Sequence, residues 1–171
     1  MPLYNRHLAV EYAIKYAISP NPCYKKYPKD CTNFVSQALR AGGWTEIGGS
    51  VFDRKDDGVW WYGNSVWSKA SYTWAGAHNF SSFIKKSGRG TSCSRAELTL
   101  GDVVQIARKG HVFHTMIVTG GNACSVIDGS EIGPMMSYHT TNTRDKDLNS
   151  IEAIYPNDTF LFWKVRDEFK S

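Results

Sequence analysis

The hydrophobic pattern of this chain changes period near its middle, and that change limits the fold more than any other feature. In the first half, apolar side chains recur at the three- and four-residue intervals of a helix face. Residues 5–18 place Val10, Ala13, Ile14 and Ala17 together, with Asn5 as a cap and Pro20 beyond the end. A second helix runs from Asp30 or Cys31 to Ala41 and is closed by Gly42-Gly43. "SYTWAGAHNFSSFIKKSGRG" reads as a third, with Trp74, Ala77, Ser81 and Ile84 on one side.

The second half is built differently. "GDVVQIA", "HTMIVTG", "CSVIDG", "MMSYHT" and "FLFWKV" are short β-branched or aromatic runs separated by turn residues. Helices followed by strands predict an α+β fold, with the N-terminal helices packed on a mostly antiparallel sheet. At 171 residues, the whole chain is expected to form one domain.

Two segments resist regular structure. "SPNPCYKKYPKD" carries Pro20, Pro22 and Pro28 within one short stretch. Residues 44–70 read as a long loop or short hairpin, and "VWWYGNSVW" within them presents a row of rings. A loop of that length inside a compact domain more often serves function than connection.

Composition narrows the classes of function. A net charge of +4 is mild, and no run of lysines or arginines exceeds two, so a nucleic-acid partner is not expected. The N-terminal "MPLYNRHLAVEYAIKYAIS" is charged throughout, which predicts neither a signal peptide nor membrane insertion. An extracellular or wall-associated location would then require excision from an exported precursor. Cys23, Cys31, Cys93 and Cys124 form no C-x-x-C pair, so zinc-knuckle spacing is absent, and a thiol–imidazole reaction would need no metal or organic cofactor.

One cysteine sits where chemistry would want it. In "DCTNFVSQALRAGG", Cys31 opens the second helix, where unpaired backbone N–H groups and the helix dipole lower a thiol pKa and can face an oxyanion. The competing reading is a small buried hydrophobe. A nucleophile also needs a base, and five histidines are present. His7 and His78 carry no partner pattern. His114 begins an apolar strand, His111 lies in the turn before it as an alternative base, and His139 closes another strand.

A pair of strand-end histidines permits one to take the thiol proton while the other orients it. Asn142 competes with His139 for the orienting role. The rings of Trp60, Trp61 and Trp74, with Tyr24 and Tyr27 from the proline-rich loop, are candidates for lining a substrate groove.

The segment "YNRHLAVEYAIKYAISPNPCYKKYPKDCTNFVSQALRAGG" resembles the opening of the putative amidase domain family, papain-like cysteine hydrolases related to NlpC/P60 and CHAP domains. The similarity continues in order through "WW…SYTW", "LTLGDVVQIA", "HTMIVTGG" and "SYHTTNTRDKDL", covering residues 4–148. The resemblance implies a papain-like α+β fold, a Cys31 nucleophile, a His114 base and a third residue best matched by His139. Where Asn142 stands, the family often has an acid. Asp30 and Asn33 match the motif as residues that cap and pack the nucleophile's helix.

The expected activity is thiol-dependent amide hydrolysis through a thioester, with a cell-wall peptide or peptidoglycan as substrate. An acyltransferase or transglutaminase-like use of the same pair, and a non-catalytic binding module, are the alternatives.

Overall fold

The computed structural model describes residues 3–63, 70–124, 129 and 131–169. Four helical segments come first: α1 (Arg6–Tyr16), α2 (Cys31–Ala41), α3 (Tyr72–Ala75) and α4 (Ala77–Lys86). Among the described residues, eight strands, one short 3-10 helix (Arg95–Glu97) and one α-helix follow: β1 (Gly90–Ser92), β2 (Val103–Arg108), β3 (His111–Gly120), β4 (Ala123–Cys124), β5 (Glu131–Ile132), β6 (Met135–Tyr138), β7 (Thr143–Asp147), α5 (Leu148–Ile154) and β8 (Thr159–Val165). Six strands form an antiparallel sheet in the order β1-β8-β2-β3-β6-β7, while β4 and β5 pair separately. The expected α+β class with an antiparallel sheet is what the chain adopts.

Strand alternation divides the core in two. Val103, Ile117, Trp163 and Val165 face α1, α2 and α4 and join Phe34, Val35, Ala38, Leu39 and the buried tryptophans. Val104, Ile106, Met116, Val118, Met136 and Tyr138 face the other way, where Leu148 and Ile151 of α5 cover them. The sheet is therefore sandwiched unequally, with the larger helical layer on one side.

The centre of that layer is α2, which is buried from Cys31 through Leu39. Its polar side chains are satisfied internally, as burial demands. Thr32 Oγ1 and Thr115 Oγ1 stand 2.9 Å apart, and Ser36 Oγ donates to the Trp74 carbonyl at 2.9 Å. Asn33 receives the Trp74 indole N–H at 2.8 Å, and Gln37 receives the Tyr12 hydroxyl at 2.7 Å. Gly42 ends the helix against α1, where an added Cβ would stand 2.5 Å from the Tyr4 ring.

Several expectations need correction. The third helix is two, because Gly76 is extended (φ −104, ψ 124) and separates α3 from α4. Ile14 is half-exposed, and Ala9 takes the inward place beside Val10 and Ala13. Trp60, Trp61 and Trp74 do not present rings to solvent: they are 0%, 1% and 0% exposed. Trp60 lies 4.5 Å from Trp74, and their N–H groups bond Ser36 and Asn33. Trp61 donates to Asp53 at 2.9 Å. Burying such large apolar areas outweighs groove lining as the use of these rings.

The rest of the aromatic segment, 64–67, and most of "CSVIDG", 125–128, lie outside the described residues. Among the described residues, no helix is long and apolar enough to cross a membrane.

Candidate active site

Asp30 caps α2 by position but not by hydrogen bond. Its carboxylate turns inward: Oδ1 accepts from Tyr27 N–H and from Asn33 Nδ2, both at 2.9 Å, and Oδ2 meets His139 Nδ1 at 2.7 Å. With Oδ1 and Oδ2 engaged elsewhere, the first-turn N–H groups of α2 are not consumed by the usual side-chain cap. Three polar contacts thus fix the residue immediately before the cysteine.

Cys31 is 3% exposed and sits where the β3–β6 ladder has ended. The last β3–β6 partner on that side is Ile117 with Ser137, and two residues earlier the backbone N–H of Thr115 donates to the Cys31 sulfur. The Thr32 and Thr140 hydroxyls and the Thr32 N–H also reach it. Burial pushes the thiol pKa up, and these hydrogen bonds offset only part of that shift. The lowered value expected from helix position alone is not found: desolvation of a sealed sulfur wins.

Thr140 has φ +92, a region that β-branched residues avoid. Its strained backbone and the hydrogen bond of its hydroxyl to sulfur occur at the same residue.

His114 lies on β3 immediately before Thr115, opposite Ile106 on β2, with Tyr138 set edge-on at 4.8 Å. Burial pulls its pKa down to about 4. The thiol is pushed up and the imidazole down, so both shifts favour the neutral forms. His114 opens onto a cavity of about 340 Å3 that Thr140 and Tyr138 also line. The sulfur is thus connected to this cavity through Thr140 and through the backbone that carries His114.

The other expected site residues fall elsewhere. His139 is 1% exposed and spends both ring nitrogens: Nε2–H donates to the Tyr16 carbonyl at 2.8 Å, and Nδ1 shares a proton with Asp30. Its ring stacks on Phe34 at 4.1 Å. Neither nitrogen is left to orient His114, so the expected direct contact gives way to a bond with the residue preceding the thiol. Asn142 donates to the Ile18 carbonyl at 2.9 Å and ties down the chain after α1.

His111 is exposed and stacks on His78 of α4 at 4.7 Å, and that histidine lines a different cavity with Val112. Tyr24 packs on Tyr62 at 4.8 Å and on Trp74 at 6.2 Å, with Arg40 at its hydroxyl. Tyr27 is half-buried beside the Ala70 backbone, and desolvation raises its pKa. Neither tyrosine lines the His114 cavity.

Sequence reasoning missed three things. The Asp30–His139 bond was hidden because an acid before a helix reads as a cap. Thr140 and Thr115 were hidden because threonine carries no catalytic pattern. Lys29 and Lys146, which also line the cavity, looked like ordinary surface charges. Cys23, Cys31 and Cys93 are free thiols. Among the described residues, no group of three His, Cys, Asp or Glu side chains is arranged to hold a metal ion.

The comparisons with known proteins add a family. A family described as "Putative amidase domain" matches residues 3–163. The Bacillus subtilis (strain 168) protein named "Uncharacterized protein YhbB" is 30% identical over 173 residues, covering 96% of this chain and 51% of that protein. "Uncharacterized protein YjcM" of the same organism is 33% identical over 153 residues, covering 81% of this chain and 31% of that protein. The chain thus spans about half, or less, of these relatives' length. No solved structure matches.

Proposed function

Since this chain belongs to the putative amidase domain family, we propose that it is a cysteine amidase, with Cys31 as nucleophile and His114 as base. The supporting observation is the 2.9 Å contact between the Thr32 and Thr115 hydroxyls, which ties the residue after the thiol to the strand position next to His114. A cysteine opening a buried helix, with a histidine on an adjoining antiparallel strand, is also the basis for reading the chain as one papain-like domain related to NlpC/P60 and CHAP.

In this mechanism the resting pair is neutral. As substrate enters and the carbonyl carbon approaches, His114 takes the thiol proton while sulfur attacks, so no free thiolate accumulates. The oxyanion forms beside the uncapped first turn of α2, where backbone N–H groups receive it. The intermediate collapses, the C–N bond breaks, and His114 returns the proton to the leaving amine. Water then attacks the thioester with the same imidazole as base, releasing acid and free thiol. His139 and Asp30 act as positioning residues, holding the backbone from which Cys31 projects.

A cell-wall peptide or peptidoglycan amide is the proposed substrate class, resting on the family resemblance alone. Purified wall material incubated with the protein should release new amino groups. Cys31→Ala and His114→Ala should each lower that release by at least about a hundredfold. If Cys31→Ala cleaves as well as the parent, the nucleophile is elsewhere.

A further inference from the structure

The cavity that His114 opens onto has a one-sided charge. Its walls are apolar on the α5 side, where Ile151, Ile154 and Tyr155 stand with Phe113. Among the described residues its charged members are Lys29 and Lys146, with no aspartate or glutamate in the lining. Among the described residues, the lysines in ion pairs are Lys86 and Lys164, so neither cavity ammonium is neutralised by a carboxylate.

The acids nearest in sequence are engaged elsewhere. Asp30 is buried against His139. Asp145 accepts from Thr119, and Asp147 accepts from Gly133 and Ser150. Strand alternation accounts for much of this, because Lys146 sits opposite Met136 on the α5 side of β7 while its acidic neighbours project from other positions.

We propose that this cavity is the specificity pocket for an anionic amide, one that bears a carboxylate within a residue of the bond to be cut. The inference rests on the amidase reading for the bond, and on Lys29 and Lys146 for the charge. At about 340 Å3 the cavity is near the lower end of small-ligand sites, which suits a short acidic segment with an apolar stem. An anion entering a cleft with apolar walls and two unpaired ammonium groups is attracted more strongly than it would be on open surface.

Two alkylating reagents of similar shape test the charge without any amide. Iodoacetate carries a carboxylate and iodoacetamide does not. Their rates at Cys31 are followed by peptide mass spectrometry at low salt, with exposed Cys23 as an internal control. The iodoacetate-to-iodoacetamide ratio at Cys31 should fall roughly three- to tenfold in the Lys29→Met/Lys146→Met protein, while the ratio at Cys23 stays put. Raising salt should shrink the parent's advantage toward that of the variant.

An unchanged ratio at Cys31 overturns the proposal, as does a Cys31 that neither reagent reaches. Hydrolysis then separates the two readings. A protein that shows the ratio effect but cleaves no amide loses the amidase assignment alone. A protein that cleaves glutamyl and glutaminyl amides equally well loses the anionic pocket alone.

Discussion

Nδ1 of His139 stands 2.7 Å from Oδ2 of Asp30, and the two side chains are 1% and 3% exposed. A buried pair of this kind costs most when one partner is removed, because the other is left without its proton or its acceptor. His139→Leu or Asp30→Ala should each destabilise the protein by about 3–5 kcal/mol in urea unfolding. A loss below about 1 kcal/mol would mean that the pair is open to water.

His114 ties stability to pH. Its ordinary value is 6.5 and its folded value about 4, so the unfolded chain binds the proton first as pH falls. Stability present above pH 6.5 is therefore lost between 6.5 and about 4, by on the order of 3 kcal/mol. Urea midpoints measured across that range should fall more steeply for the parent than for His114→Gln. Parallel curves would contradict the shift.

Thr140 separates strain from chemistry. Thr140→Gly removes a left-handed β-branched residue, whose strain is worth about 1–3 kcal/mol, and it also removes the hydroxyl that reaches the sulfur. The variant should be at least as stable as the parent, yet its Cys31 should alkylate more slowly at neutral pH. Thr140→Ala keeps the strain and should show only the slower alkylation. Faster alkylation in either variant would assign the hydroxyl no part in holding the thiolate.

Alkylation of the parent protein carries its own signature. With the thiol pushed up by burial and the imidazole pulled down, the rate at Cys31 should climb steadily with pH from neutrality upward. A rate that stays flat into mildly acidic pH would instead require a standing thiolate–imidazolium pair.

Trp74 tests whether the tryptophans are core or groove. Trp74→Phe leaves the Asn33 carbonyl oxygen without its indole donor and should cost about 1–3 kcal/mol of stability. The KM for any cleaved substrate should not move. A rise in KM at unchanged stability would return the ring to the groove.

The sequence carried the class of fold because period change is a property of local side-chain order, and the helix bounds at Asn5 and Gly42 follow from local capping chemistry. It carried the order of Cys31 and His114 along the chain for the same reason. What it did not carry was long-range. β7 reads "TRDKD" and has too few apolar residues to announce a strand, since it is an edge held mainly by pairing with β6. The tryptophans were legible as aromatic but not as buried, because only the approach of Ser36, Asn33 and Asp53 decides that. The sign of the Cys31 shift was likewise beyond local reading, since desolvation depends on everything that closes over the sulfur.

The bond between Asp30 and His139 bridges 109 positions of chain, and the one between His139 and Tyr16 bridges 123. Closing loops of that size comes late in assembly. A polypeptide halted before β6 would own the thiol without the clasp that holds Asp30, so the seat of Cys31 would be completed only once His139 has been added.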